Sequence, residues 1–275
     1  MRSNLKEMDL KDVQAISLEI LTEFDGFCKK SNLRYTLAYG TMIGAIRHHG
    51  FIPWDDDIDV MMPRPDYDKF IELYKDNENY VCIAAEKKNS LLAYARLVEM
   101  KRTFVRPAAP WSNMDTGIWI DIFPVDGVED DKNDFSKTAK EGYELWRKVV
   151  LARQGYGKLS VHRPLMWNLK RLVKKLLYSY KRYSYLDSLL QLCHRYDYDK
   201  CGHVSNLSHS LYASKSFFPK NMFEEYIDVL FDNLTFKCIK DFHIFLSMIY
   251  GDYMELPPIE KRKDHSFHHY YWKNV

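Results

Sequence analysis

The chain has 275 residues, 46% of them hydrophobic, and its 40 basic and 38 acidic residues leave a net charge of +2. That is enough apolar sequence for a substantial core, and too even a charge balance to call for nucleic acid as a partner. No apolar run approaches the ~20 residues of a membrane span. The opening residues show no apolar leader, and the five scattered cysteines form no C-x-x-C pair, so reduced thiols and a cytoplasmic location are expected.

Asp9 is placed to cap a helix reaching about Lys30, in which Leu10, Val13, Ile16, Ile20, Phe24 and Phe27 recur every three or four residues. Residues 34–39 (RYTLAY) read as a strand broken by Gly40; Thr41 then caps a short helix that ends at Gly50. Further strands are expected at 58–62, 80–84, 93–98 and 117–123 (GIWIDIF), the last stopped by Pro124 and Gly127. A helix opens at Pro65 and runs to about Lys75. The stretch 135–214 reads as helical, followed by a hairpin (VLFDNLTFKCI) turning at Asp232 and Asn233, a helix over 240–250 and the loop GDYMELPP. This order predicts an α+β fold: a catalytic core over 1–134, a helical insertion over 135–214, and a strand–helix segment over 215–275 that completes the core.

The chemistry concentrates in WDDDIDV, where four carboxylates fall within five residues at the mouth of a strand. Hard divalent cations take oxygen ligands, and residues two apart on a strand face one side. Asp57 and Asp59 can therefore aim at one point, joined by Asp55 if the strand starts early, while Asp56 and Ile58 face the other way. Asp121 sits between Ile120 and Ile122, where an isolated carboxylate is costly unless paired or liganded. Two carboxylates on one strand and a third on another can clamp an in-line displacement at phosphorus. The plainer alternative is a solvated acidic turn, with Asp121 paired to an arginine. Gly40 and Thr41, at the start of a helix, offer backbone N–H groups to a phosphate, or form an ordinary tight turn.

The order strand, Gly-Thr, helix, Asp-x-Asp strand, later strand Asp resembles the nucleotidyltransferase superfamily. AYGTMIGAIRHHGFIPWDDDIDVMMPR, WIDIFPVDG and YGDYMELPP are similar in wording to the LicD/fukutin family. The resemblance implies a nucleotidyltransferase-like mixed sheet flanked by helices. It also implies transfer of a substituted phosphate from a CDP-linked donor to a sugar hydroxyl, with release of CMP. Carried over by position, the metal ligands are Asp55, Asp57 and Asp59 with the later acid Asp121, and the glycine-containing turn is Gly40 and Thr41. The expected ion is Mg²⁺, with Mn²⁺ as the alternative. The expected cargo is phosphocholine from CDP-choline, delivered to a teichoic acid, lipopolysaccharide or other lipid-linked glycan precursor. An alditol phosphate or sugar phosphate is the alternative cargo, and a polymerase using nucleoside triphosphates or a silent scaffold stands further off.

Phosphate chemistry also needs fixed cations, and Arg47, His48, Arg96 and Arg102 lie near the motifs, each also readable as solvated surface. His265 follows the GDYMELPP block and is a further substrate-binding candidate. Choline, a quaternary ammonium, is best held by aromatic faces, for which Trp54, Trp111, Trp119 and Tyr39 are placed, core packing being the other reading. Asp121 is the candidate general base, or else helps to hold a metal. Finally, residues 162–185 carry seven Lys or Arg and no acid, interleaved with leucines at helical spacing. That pattern fits either a helix packed on the core with a solvated basic side, or peripheral contact with an anionic membrane.

Overall fold

The computed structural model describes residues 5–107, 116–153, 165–209, 213–262 and 268–273. In chain order the strands are β1 (Lys6–Glu7), β2 (Thr36–Leu37), β3 (Asp59–Pro63), β4 (Tyr80–Ile83), β5 (Ala95–Glu99), β6 (Thr103–Pro107), β7 (Trp119–Val128), β8 (His203–Ser205), β9 (Phe218–Pro219), β10 (Tyr226–Phe231), β11 (Leu234–Ile239) and β12 (His268–Trp272). The helices are α1 (Leu10–Ser31), α2 (Tyr39–Ile43), α3 (Arg64–Leu73), α4 (Lys132–Arg153), α5 (Leu165–Tyr180), α6 (Arg182–Cys193) and α7 (Phe242–Tyr250). The fold is α+β, as expected.

The main sheet runs β2-β3-β7-β5-β4, with β8 and β9 added beyond the far end of β7. Only β3 and β7 pair in parallel; the other neighbours are antiparallel. α1 forms because its apolar residues share one face and because Asp9 and Asp12 make a reciprocal capping box. It buries Val13, Ile16, Ile20, Leu21 and Phe24 among the core residues behind the sheet. The hairpin β10–β11 turns at Asp232 and Asn233 with φ of 46° and 65°, the left-handed pair that a two-residue turn requires.

Three departures from the sequence reading have physical causes. The strand read as 117–123 continues to Val128 through Pro124. Pro124 falls where the β5 pairing has ended at Ile122 and the β8 pairing has not begun at Asp126, so one ladder needs no donor there. The stretch read as helical to 214 surrenders His203–Ser205 to the sheet, because β8 extends the far half of β7. The tail, where the sequence reading expects no strand, supplies β12, the central strand of a second small sheet β1-β12-β6. In the middle segment, His203 stacks on Phe217 (4.2 Å between ring centroids) and bonds to Asp130, which makes it structural.

Candidate active site

The acidic cluster sits where β3 begins. Burial alternates along it: Asp55, Asp57 and Asp59 are partly exposed, whereas Asp56 and Ile58 are buried. The period of two is that of extended chain, so the first three share the open side and the other two face the core. Asp56 is accounted for from that inner side, where its Oδ2 accepts from the hydroxyl of Tyr270 on β12 at 2.8 Å. Burial, together with the charge of Asp56, pushes the Tyr270 phenol well up and keeps it a donor.

Register then builds a row across three strands. Asp59 on β3 lies opposite Asp121 on β7, and Asp121 lies opposite Arg96 on β5. Residues opposed in this way project from the same face within reach of each other. Arg96 Nε donates to Asp121 Oδ1 at 2.6 Å, and its guanidinium lies 4.2 Å from the centroid of the Trp119 ring. Burial alone would lower the Arg96 pKa, but the Asp121 charge outweighs it and holds the guanidinium protonated. The pairing of Asp121 with an arginine, weighed above as the plain alternative, is therefore real, and it lies inside the carboxylate row.

Gly40 and Thr41 also serve this row structurally. The helix starts at Tyr39 with no side-chain cap, and it continues as a π-helical turn over Gly44–His48. Thr41, buried in its first turn, uses Oγ1 to accept from the Asp59 N–H at 2.9 Å. The hydroxyl thus ties the helix to the mouth of β3. Gly40 leaves room beside it: a Cβ there would lie 2.9 Å from Oδ2 of Asp55 and would push that carboxylate aside. Asp55 is held from behind by Gln14, whose Nε2 donates to its backbone carbonyl at 2.8 Å.

Beside Gly40 opens a cleft of about 430 Å³, lined by Ile43, Arg47, Ile52 and Trp54 and by the 250–258 loop with Tyr253, Leu256, Pro257 and Pro258. Arg47 spends its donors on that loop, on the carbonyls of Tyr253 (2.6 Å) and Glu255 (3.3 Å), and on Nε2 of His48 (3.0 Å). To accept that bond His48 must be neutral, and burial, aided by the Arg47 charge, lowers its pKa in that direction. Arg47 therefore lines the cleft and anchors its loop, and His48 supports Arg47 from beside it, edge-on to Trp54. Trp54 borders the cleft with Arg262 over its ring at 5.3 Å. Trp54 and Trp119 thus each already carry a guanidinium on one face. Tyr39 is buried, and Trp111 and His265 lie outside the described residues. Arg102 is not brought to the row. It sits past the far end of β5, some 10 Å along the strand from Arg96, bridging Glu19 (2.5 Å) and Glu99 (3.3 Å).

Sequence reading missed residues that the fold delivers. Tyr94, Phe123, Trp146 and His209 form a ring cluster beside Asp121 and Arg96, with centroid separations of 4.6 Å (Tyr94–Phe123), 5.6 Å (Phe123–His209) and 5.5 Å (Trp146–His209). Burial lowers the His209 pKa, opposed by the Asp121 charge and reinforced by that of Arg96. Arg153, at the end of α4, lies close enough that Tyr94, Arg96 and Asp121 all bear on its pKa, which burial lowers. No local motif marks Arg153 or His209; only the docking of the middle segment brings them here.

Asp55, Asp57, Asp59 and Asp121 offer only carboxylate oxygens, the donor chemistry that suits a hard divalent cation. Among the described residues, no three His, Cys, Asp or Glu side chains close on a single point, and Asp121 engages Arg96.

Residues 32–155 match the family described as LicD/FKTN/FKRP, nucleotidyltransferase domain. The lipopolysaccharide cholinephosphotransferase LicD of Haemophilus influenzae is 32% identical over 270 residues, which are 95% of this chain and 97% of that protein. The chain belongs to the LicD family. Shorter matches to uncharacterized proteins of Rickettsia typhi (34% over 59 residues) and Rickettsia prowazekii (35% over 57) cover about a fifth of each chain. As a LicD-family chain it carries its carboxylate row, its Gly40–Thr41 turn and Arg153 all inside the matched domain, whereas the 250–258 wall of the cleft lies beyond it. Among the described residues no helix is long and apolar enough to cross a membrane.

Proposed function

We propose that this protein transfers phosphocholine from CDP-choline to a sugar hydroxyl of a lipid-linked surface-glycan precursor and releases CMP. The observation that carries this reading is the in-register row Asp59–Asp121–Arg96, in a chain similar over nearly its full length to a cholinephosphotransferase. The acceptor oxygen forms the new P–O bond as the P–O bond to CMP breaks, and the hydroxyl proton leaves to a base. Asp121 is the candidate base, or else helps to hold the metal, and Arg96 Nε at 2.6 Å fixes its orientation.

Asp57 and Asp59, with Asp55 and Asp121 beside them, are the residues that would hold Mg²⁺ or Mn²⁺, and the ion would neutralise charge on the donor phosphates. Thr41 keeps the mouth of β3 in place, and Gly40 leaves room for the Asp55 carboxylate. Arg96 and Arg153 supply fixed positive charge near the transferring phosphoryl group. Trp54 and the Leu256–Pro257–Pro258 wall offer the apolar, aromatic surface that a trimethylammonium group prefers.

The test is CMP release from a panel of CDP-alcohols, with Mg²⁺ or with EDTA, using a sugar-containing lipid extract as acceptor. Metal-dependent CMP from CDP-choline with a choline-tagged glycan is the expected result. CMP from CDP-ribitol or CDP-glycerol only would transfer the cargo to an alditol phosphate. No CMP from any donor overturns the reading.

A further inference from the structure

α5 is built the wrong way round for a helix that packs on a core. Met166, Leu169, Val173, Leu176, Leu177 and Tyr180 fall within about a third of the helix circumference. All six are exposed, with Leu169 at 51%, Leu177 at 58% and Tyr180 at 88%. The opposite side is the one in contact: Tyr178 packs its ring 5.7 Å from Tyr185 of α6. The alternative in which the apolar side rests on the core therefore does not hold, and a continuous apolar stripe faces outward, of the kind that marks an interaction surface. Tyr183, just past the helix, extends it and is itself exposed at 56%.

Charge selects the occupant. The stretch 162–185 has seven Lys or Arg and no Asp or Glu, and Lys170 and Lys181 are exposed along one edge of the stripe. An apolar stripe in a stretch whose only charges are cations, with tyrosines at one end, complements an anionic bilayer surface: leucines enter the acyl boundary, amines meet phosphates, and phenols sit at the headgroup level. We infer that α5 docks this protein on an anionic lipid surface, lying in the interface plane. The inference stands apart from the transfer chemistry, since none of these residues touches the carboxylate row.

The experiment is co-sedimentation of the full chain with vesicles of phosphatidylcholine, with and without phosphatidylglycerol. The wild type should bind the phosphatidylglycerol vesicles, and salt should weaken that binding. Leu169→Gln with Leu176→Gln, and separately Lys170→Glu with Lys181→Glu, should each lower partitioning by roughly tenfold or more. All four positions are exposed, so the variants should keep the wild-type melting temperature. Three results overturn the inference: no vesicle binding, binding indifferent to phosphatidylglycerol, and variants that bind like the wild type. A dimer in solution that the leucine variant dissociates, with no vesicle binding, would give the stripe to a second copy of this chain instead.

Discussion

Thr41→Val separates two roles for the Gly40–Thr41 turn. Valine matches threonine in volume and removes only the acceptor, Oγ1, that takes the Asp59 N–H at 2.9 Å. Thr41 is buried, so the orphaned N–H loses its partner where water does not easily replace it, at a cost of about 1–3 kcal/mol. For a chain of this size each kcal/mol lowers the melting temperature by roughly 2–4 °C. The same bond sets where Asp59 leaves the helix side and enters β3. A carboxylate displaced by part of an ångström should cost roughly ten- to a hundredfold in kcat. Calorimetry and steady-state CMP release on one preparation test both halves. The expected outcome is a lower melting temperature and a lower kcat with the KM for donor unchanged, and Thr41→Ser, which restores the acceptor, should recover both. A variant with unaltered melting temperature and a raised donor KM would show that the hydroxyl meets substrate and not β3, and would refute the positioning argument.

Asp59→Asn removes charge but little volume, and it should lower turnover roughly a thousandfold while circular dichroism stays native; turnover within a few-fold of wild type would remove Asp59 from the chemistry. Arg96→Lys keeps a charge but loses the Nε contact to Asp121 and the stack on Trp119, so kcat should fall more than stability does. Asp126→Asn breaks the buried pair with Arg64 (2.6 Å) and should destabilise by about 3–5 kcal/mol in urea unfolding, whereas Asp126→Leu combined with Arg64→Met should recover much of that loss. His209 has its folded pKa below the ordinary histidine value. The unfolded state therefore binds the proton first as pH falls, and the contribution of His209 is intact above about pH 6.5 and lost below it. His209→Phe keeps ring packing and cannot titrate, so its melting temperature should fall less between neutral and mildly acidic pH than that of the wild type.

Within the first 130 residues the elements with a local signal were legible, whereas β1 and β6, which exist through their pairing to β12, were not. α1 declared itself by periodicity and by its cap, and β3 declared itself by the alternation Asp57–Ile58–Asp59. The pairing of Asp121 with Arg96 could be named only as a possibility, since a cross-strand register over 25 residues leaves no trace in either segment. Pro124 misled because a proline ends a strand only where the ladder facing its missing N–H needs a donor, and here that side is the gap between β5 and β8. The tail was illegible for a similar reason. HHYYW is a strand only because β6 and β1 lie on either side of it, and it matters because Tyr270 reaches Asp56. Arg153 and His209 carry no signal of their own, and their place near Asp121 depends on how the middle segment folds back.

That dependence has a focal point in Tyr39. It is buried and non-glycine, yet its φ is +46°, a conformation that costs on the order of 1–3 kcal/mol and persists only where its surroundings impose it. The strained residue lets the chain leave β2 and turn at once into α2, so that Gly40 and Thr41 meet the mouth of β3. What imposes it comes from late in the chain. Asn206, just past β8, donates to the Tyr39 hydroxyl at 3.0 Å, and Phe245 of α7 packs at 6.2 Å from its ring, with Phe123 of β7 at 5.8 Å on another side. The carboxylates and their turn therefore lie in the first half of the sequence, but the geometry that presents them is set by residues beyond 200. Truncation after the matched domain would remove those supports along with the wall of the cleft. The likeness to the Haemophilus protein likewise extends over 95% of the chain and does not stop where the acidic motif does.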